Sequence, residues 1–350
     1  MRLGIIARSD DTGLGNQTRE LVQMLNPSLV MLINSESFNG NEQHPEWYKD
    51  YNVKTSQGFL TDRAVRLLLD NVDVILSCEI FYNDRLIRLA RKYGVKTILQ
   101  YNYEFLEHID KPEMDLPDVM LAPSVWNIEN VRSIIDPSKT KLLHIPPPTT
   151  FSLFDQAREV NLSKDHNRLL HIAGKIAAKD RNGTQIVLDM LKYSKADYEL
   201  VIKVQKGDAI VCNDPRVTID TGNVKEREDL YSGFDGMILP RRYAGLCLPM
   251  NEALMSGLPV FMPNISPNND VLPSEWLTEA KRDGSFRAKS RIDLYEADSR
   301  KLAELVDNYI NSNNKINQKQ EAIDIGYSRF APESLKEKYL EVISQTVSGK

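Results

Sequence analysis

The chain has 350 residues, 41% of them hydrophobic and 27% charged, with a formal net charge of −5. That length and apolar content suit two cores, and the mild acidic balance excludes the overall basic footprint of an unspecific nucleic-acid or anionic-membrane binder. Cys78, Cys212 and Cys247 are too few and too widely spaced for a disulfide framework or a zinc site, and the five histidines show no metal-ligand spacing. With no signal peptide and no stretch of transmembrane length, the expected location is the cytoplasm.

An apolar run at 3–7 reads as a strand, followed by a loop from Arg8 to Asn16 and a helix with Leu21, Met24 and Leu25 on one face. Gly13 and Gly15 let the loop backbone lie against a ligand, and Asn16 is the expected helix N-cap. The Thr-Gly-Leu-Gly-Asn spacing lacks the full dinucleotide fingerprint, which argues against an NAD-binding domain. Strands at 29–33, 72–77, 95–99 and 119–122 alternate with helices at 61–69, at 84–93 ended by Gly94, and from Ser124 through Val131. Nearly continuous apolar strands alternating with helices indicate a parallel sheet covered on both faces. Ligands of such sheets sit beyond the carboxyl ends of the strands, which singles out the loops at 8–16, 78–83, 100–105 and 124–126. Tyr101, Tyr103 and Phe105 read as core, with an aromatic sugar-stacking wall as the alternative.

Pro146, Pro147 and Pro148 stiffen the chain, and the polar, turn-prone segment 149–167 reads as an interdomain linker. The pattern then restarts with a strand at 169–173, a loop from Gly174, a helix at 183–193, strands at 198–204, 217–219 and 237–239, and a short helix at 226–231. A glycine-bearing loop leads into a helix at 248–255 and a strand at 258–262. A loop at 264–274 and helices at 299–310 and 332–347 complete the chain, with no repeats, low-complexity tracts or heptads.

Chemistry concentrates where that glycine-bearing loop enters the helix at 248–255. Unpaired N–H groups and the helix dipole favour an anionic oxygen there, most naturally a phosphate. Glu252, one turn inside, can accept hydrogen bonds from two sugar hydroxyls. Phosphate plus diol specifies a nucleotide or a nucleotide sugar.

The run from Gly245 to Val260, GLCLPMNEALMSGLPV, resembles the donor-binding signature of GT-B glycosyltransferases, in particular glycosyltransferase family 4, whose pattern is E-G-F-G-L-P-x-x-E-A-M-A-x-G-x-P-V. The resemblance implies an α/β protein of GT-B architecture, with two Rossmann-like domains whose parallel sheets face each other across a cleft. Residues 1–148 would form the acceptor-side domain, 149–167 the linker and 168–330 the nucleotide-sugar donor domain. Residues 331–350, which begin a segment similar to the family's terminal helix, would pack back toward the first domain. The ribose falls to Glu252, and Tyr243, Gly245, Leu246, Cys247 and Leu248 line the donor loop. The first glutamate of the pattern is replaced by Ala244, and Cys247 stands for a glycine.

Residues 174–183 resemble the family's G-R-x-x-x-x-K-G, whose two cations grip the donor diphosphate. Lys175 takes the arginine's place; the second cation is Lys179 or Arg181, with Arg181 preferred because its planar fork suits two phosphate oxygens. Lys175 and Arg181 are therefore the expected catalytic cations, neutralising the leaving diphosphate. By the same resemblance Gly13, Gly15 and Asn16 lie near the donor phosphates and the acceptor. A histidine that the family carries after the 95–99 strand is absent; Asn102 stands near its place and can bond a sugar hydroxyl, and Glu104 is the acceptor-side base to test.

The function implied is transfer of a sugar from a nucleotide-diphosphate sugar to a hydroxyl acceptor (a glycan, a small molecule or modified DNA), with retention of configuration. In the absence of a D-x-D motif no metal is expected, and the nucleotide sugar is a co-substrate with no other cofactor. Three alternatives stand beside it. One is a DNA-modifying glycosyltransferase acting on hydroxymethylated bases, since the chain also resembles glycosyltransferases of tailed-phage genomes. Another is a catalytically silent sugar-nucleotide binder, suggested by Ala244 and the missing histidine. The third is a GT-B-shaped epimerase, whose acid/base carboxylates the sequence does not place.

Overall fold

The computed structural model describes residues 1–36, 40–106, 115–174, 180–205, 210–222, 224, 226–243 and 245–349. The chain divides into two compact units. One comprises Met1–Thr149, Ala288–Ser290 and Pro332–Lys350; the other comprises Thr150–Arg287 and Arg291–Ala331.

The first unit is built on a parallel sheet of β1 (Leu3–Arg8), β2 (Leu29–Asn34), β3 (Val53–Gln57), β4 (Val74–Cys78), β5 (Lys96–Gln100), β6 (Val119–Ala122) and β7 (Lys141–His144), in the order β3-β2-β1-β4-β5-β6-β7. Ile5 pairs with Val30 on one side and Leu76 on the other. Because successive side chains point to opposite faces, these three enter one core while Ile6, Met31 and Ile75 enter a second. Helix α1 (Gly13–Leu25) and the C-terminal helix Pro332–Ser348 cover the first face through Leu21, Val22, Leu335, Tyr339 and Ile343. Helices α2 (Asp62–Asn71) and α3 (Leu86–Tyr93) cover the second through Val65, Leu68, Leu86 and Ala90; α3 ends at Gly94 in the left-handed region, φ 70°. A short α4 (Ile128–Arg132) follows β6. The buried Gln100 ties the unit together: its Nε2 donates to Tyr339 Oη at 2.8 Å and to the Ile145 carbonyl at 3.0 Å. The sequence reading passed over β3, an edge strand with Lys54, Thr55 and Gln57 exposed, which gives no apolar run.

The second unit carries the parallel sheet β10-β9-β8-β11-β12-β13, formed by β8 (Arg168–Gly174), β9 (Glu199–Val204), β10 (Val217–Thr221), β11 (Gly236–Ile238), β12 (Val260–Pro263) and β13 (Leu277–Thr278). An antiparallel hairpin, β14 (Ala280–Arg287) with β15 (Arg291–Ala297), was not foreseen because its first strand is charged and almost wholly exposed. The segment 149–167, expected as a linker, instead holds helix α5 (Asp155–Ser163). Its polar residues serve the core. Buried Asn161 donates to the carbonyls of Tyr231 and Ser256 at 2.9 and 2.8 Å and accepts from Gly233 and Phe234 N–H at 2.8 and 3.1 Å, so polarity here marks satisfied backbone. Helices α6 (Thr184–Met190), α7 (Leu248–Met255), α8 (Asn268–Val271), α9 (Ser299–Ile310) and α10 (Lys315–Phe330) complete the unit.

Candidate functional site

Residues for a ligand site gather at the carboxyl ends of β8 and β11, which are neighbours in the second sheet. His171 braces the two strands: Nδ1 meets the Ile238 carbonyl at 2.8 Å and Nε2 meets Thr184 Oγ1 at 3.0 Å. Burial pushes its pKa down to about 4, so the ring is neutral, with Nδ1–H donating and Nε2 accepting. Beyond β8 the chain turns at Gly174, φ 66°, and Asn182 Nδ2 donates back to the Ile172 carbonyl at 2.9 Å. Asp180 caps α6 by accepting from Thr184 and Gln185 N–H at 2.9 and 2.8 Å. Gly183 must be glycine, since φ is 72° and a Cβ there would lie 2.2 Å from the Pro240 carbonyl oxygen.

This close approach clamps the loop after β8 against the loop after β11, and Arg242 N–H completes the clamp by donating to the Arg181 carbonyl at 2.9 Å. The Arg181 guanidinium sits 5.0 Å from the Tyr243 ring centroid, and Tyr243 meets Phe286 edge-on at 5.1 Å. Arg181 and Tyr243, 62 positions apart in the chain, are thus brought together. Lys175, Lys179 and Ala244 lie outside the described residues.

From Tyr243 the chain runs through half-buried Gly245 and Leu246 and buried Cys247 into α7, whose first residue Leu248 is half-buried. This helix start offers fewer N–H groups than the sequence reading implies. Pro249 has none, and Met250 and Asn251 both donate to the Cys247 carbonyl, at 3.0 and 3.2 Å. Glu252 is 6% exposed and already engaged. Its Oε1 accepts from Arg227 Nε at 2.8 Å and also from Arg227 Nη2, and its Oε2 accepts from Tyr231 Oη at 2.5 Å. Of roughly four acceptor positions on a carboxylate, about one is left. Arg227 and Tyr231 escaped the sequence reading because nothing in their local pattern marks a partner 25 and 21 residues away.

In the first unit the loop after β1 is satisfied largely from within. Thr12, not Asn16, is the N-cap of α1: its Oγ1 accepts from Gly15 N–H at 3.2 Å, while Asn16 lies inside the first turn and donates its N–H to the Thr12 carbonyl at 3.0 Å. A Cβ on Gly15 would fall 1.9 Å from the Asp10 carbonyl oxygen, so the close approach that demands glycine is made by the protein's own backbone. Gly13 is exposed. Buried Asp10 is held by Arg8, Thr12 and Ser35.

Asn102 and Glu104, both half-buried, lie after β5 at a 3-10 turn, Tyr103–Phe105. Tyr101 belongs to the core, Tyr103 packs edge-on against Trp126 at 5.5 Å, and Phe105 is exposed. The sequence reading missed Glu79 within the loop it flagged after β4. Its φ of 67° is rare for a residue with a side chain, and burial pushes its carboxyl up to about 7, with Arg8 opposing and Glu104 adding to the rise. Among the described residues no helix is long and apolar enough to cross a membrane, and no group of three His, Cys, Asp or Glu side chains is placed to hold a metal ion.

Two parallel-sheet Rossmann-like units in one chain give this protein the fold of the GT-B glycosyltransferases. Three solved structures set the likeness. Anabaena Alr3699/HepE in complex with UDP matches with a TM-score of 0.69 at 12% identity, over 99% of this chain and 100% of that one. Sucrose-phosphate synthase from Thermosynechococcus elongatus matches with a TM-score of 0.67 at 12% identity over 100% of both chains. The lipopolysaccharide outer core galactosyltransferase WaaB, in its apo form, matches with a TM-score of 0.62 at 11% identity, over 99% and 100%. No family model and no curated protein matches the chain.

Proposed function

We propose that this chain is a glycosyltransferase that moves a sugar from a nucleoside-diphosphate sugar to a hydroxyl acceptor, with retention and without a metal ion. The observation that carries the reading is the clamp between the loops after β8 and β11, which sets Arg181 against Tyr243 at the carboxyl edge of the second sheet. Parallel sheets receive ligands at that edge. A diphosphate gains charge as its bond to the sugar breaks, and a fixed guanidinium opposite it lowers the barrier without reorganising. Lys175 or Lys179 would add to that field, and Asn102 and Glu104 would serve the acceptor. Uridine diphosphate is the first nucleotide to try, because the similar HepE has been solved with UDP and with UDP-glucose. Retention rests on the sequence resemblance.

Thermal unfolding in the presence of UDP, GDP, ADP and their sugar esters tests the reading. A ligand at 100 times its dissociation constant adds roughly 2.7 kcal/mol of stability. One nucleotide and its sugars should raise the midpoint; a midpoint that none of them moves would end the reading.

A further inference from the structure

Arg241 follows Pro240 directly at the carboxyl end of β11 and keeps only 8% of its surface exposed. The neighbouring arginines have side-chain contacts: Arg181, whose Nε is likewise sealed without an acceptor, lies over Tyr243, and Arg242 pairs with Asp283 and donates through Nε to the Tyr295 carbonyl at 3.3 Å. Among the described residues the Arg241 guanidinium has no such partner. Its Nε is sealed from solvent with no acceptor, while the Nη atoms are not sealed in this way. The backbone is fixed on both sides, with Arg241 N–H donating to the Leu239 carbonyl at 2.7 Å and Arg242 N–H to Arg181. The segment that starts at Arg241 leads to a second buried donor without an acceptor, Asn251 Nδ2 in the first turn of α7.

A guanidinium cannot shed its proton. A guanidinium whose stem and Nε are buried without an acceptor among the described residues, on a fixed backbone, is unfavourable unless an anion completes it at the open Nη edge. We propose that Arg241 is an anion-binding residue of the donor site, its fork taking paired oxygens of the nucleotide sugar, either on the diphosphate or on a carboxylate carried by the sugar. This rests on the glycosyltransferase reading and adds to it a third cation, beyond Lys175 and Arg181.

The test uses the full chain and the variants Arg241→Gln and Arg241→Lys, with calorimetry against inorganic pyrophosphate, UDP, UDP-glucose and UDP-glucuronate, and melting without ligand. Arg241→Gln should melt no lower than the parent, because it removes a charge that no described residue pairs with. It should bind pyrophosphate and UDP roughly 10- to 100-fold more weakly, with Arg241→Lys in between. A loss confined to UDP-glucuronate would place the anion on the sugar. Equal affinities of parent and Arg241→Gln for all four probes would overturn the proposal and leave the donor reading standing. Pyrophosphate binding through Arg241 with no nucleotide binding would do the reverse. A parent that binds none of the four would sink both, and a lower melting point with unchanged affinities would show Arg241 to be part of the scaffold only.

Discussion

The Tyr231 hydroxyl donates to Glu252 Oε2 at 2.5 Å while Arg227 holds Oε1. Burial, and then the carboxylate beside it, raise the Tyr231 pKa well above its ordinary value, so the hydroxyl stays a donor at any physiological pH. Glu252 thereby ties the 3-10 turn Arg227–Tyr231 to α7. Glu252→Gln turns a charge-assisted, largely buried contact into a neutral one and should lower stability by about 1 to 3 kcal/mol, read as a lower urea midpoint. UDP affinity, measured where both proteins are folded, should fall about tenfold if the remaining acceptor position holds the ribose. Unchanged affinity would confine Glu252 to the fold.

The two glycines after β1 should behave differently. Gly15→Ala drives a Cβ to within 1.9 Å of the Asp10 carbonyl oxygen, which is backbone and cannot swing aside. A loss of about 3 kcal/mol or more is expected in denaturant unfolding. Exposed Gly13 should accept valine with less than about 1 kcal/mol of change. Reduced turnover in a stable Gly13→Val protein would then report a contact with phosphate or acceptor, and full turnover would leave that glycine as a helix start.

The same contrast shows what the sequence could express. Strands buried on both faces, such as β6, and helices with one apolar stripe, such as α9, stand at the positions their patterns predicted. Elements without a continuous apolar run or stripe of their own did not. The edge strand β3 buries only Ser56. Helix α10, where the sequence analysis places no element, contains Gly326, which allows close packing: a Cβ there would sit 3.0 Å from Leu254 C and Met255 N in α7. At the site, the sequence could nominate Arg181 and Glu252 singly. It could not show that Arg181 lies against Tyr243 or that Glu252 is held by Arg227 and Tyr231, because such pairings depend on which strand ends become neighbours.

Glu79 gives a pH signature. Its folded pKa of about 7 lies above the ordinary carboxyl value, so the fold favours its protonated form. The stability it contributes is fully present below the unfolded pKa near 4.5 and is lost as pH rises through about 7. Relative to Glu79→Gln, the parent should therefore become steadily less stable as pH rises from 4.5 to 8, measured as the difference between their melting points. A flat difference would mean that the Glu79 carboxyl has the same pKa in the folded and the unfolded chain.

Turnover should survive EDTA. Arg181, with the lysines of the preceding loop, would meet the charge of the leaving diphosphate without a divalent ion. Activity lost on chelation and recovered on adding manganese would contradict this electrostatic account.

The central claim is transfer itself, and it is tested most directly by mass spectrometry of reactions containing a panel of nucleotide sugars and hydroxyl acceptors. The account predicts that one donor is consumed, with free nucleoside diphosphate appearing together with an acceptor heavier by one glycosyl unit, and that Arg181→Ala slows both in parallel. A protein that binds a nucleotide sugar tightly yet leaves every donor intact, whatever acceptor is offered, would contradict it.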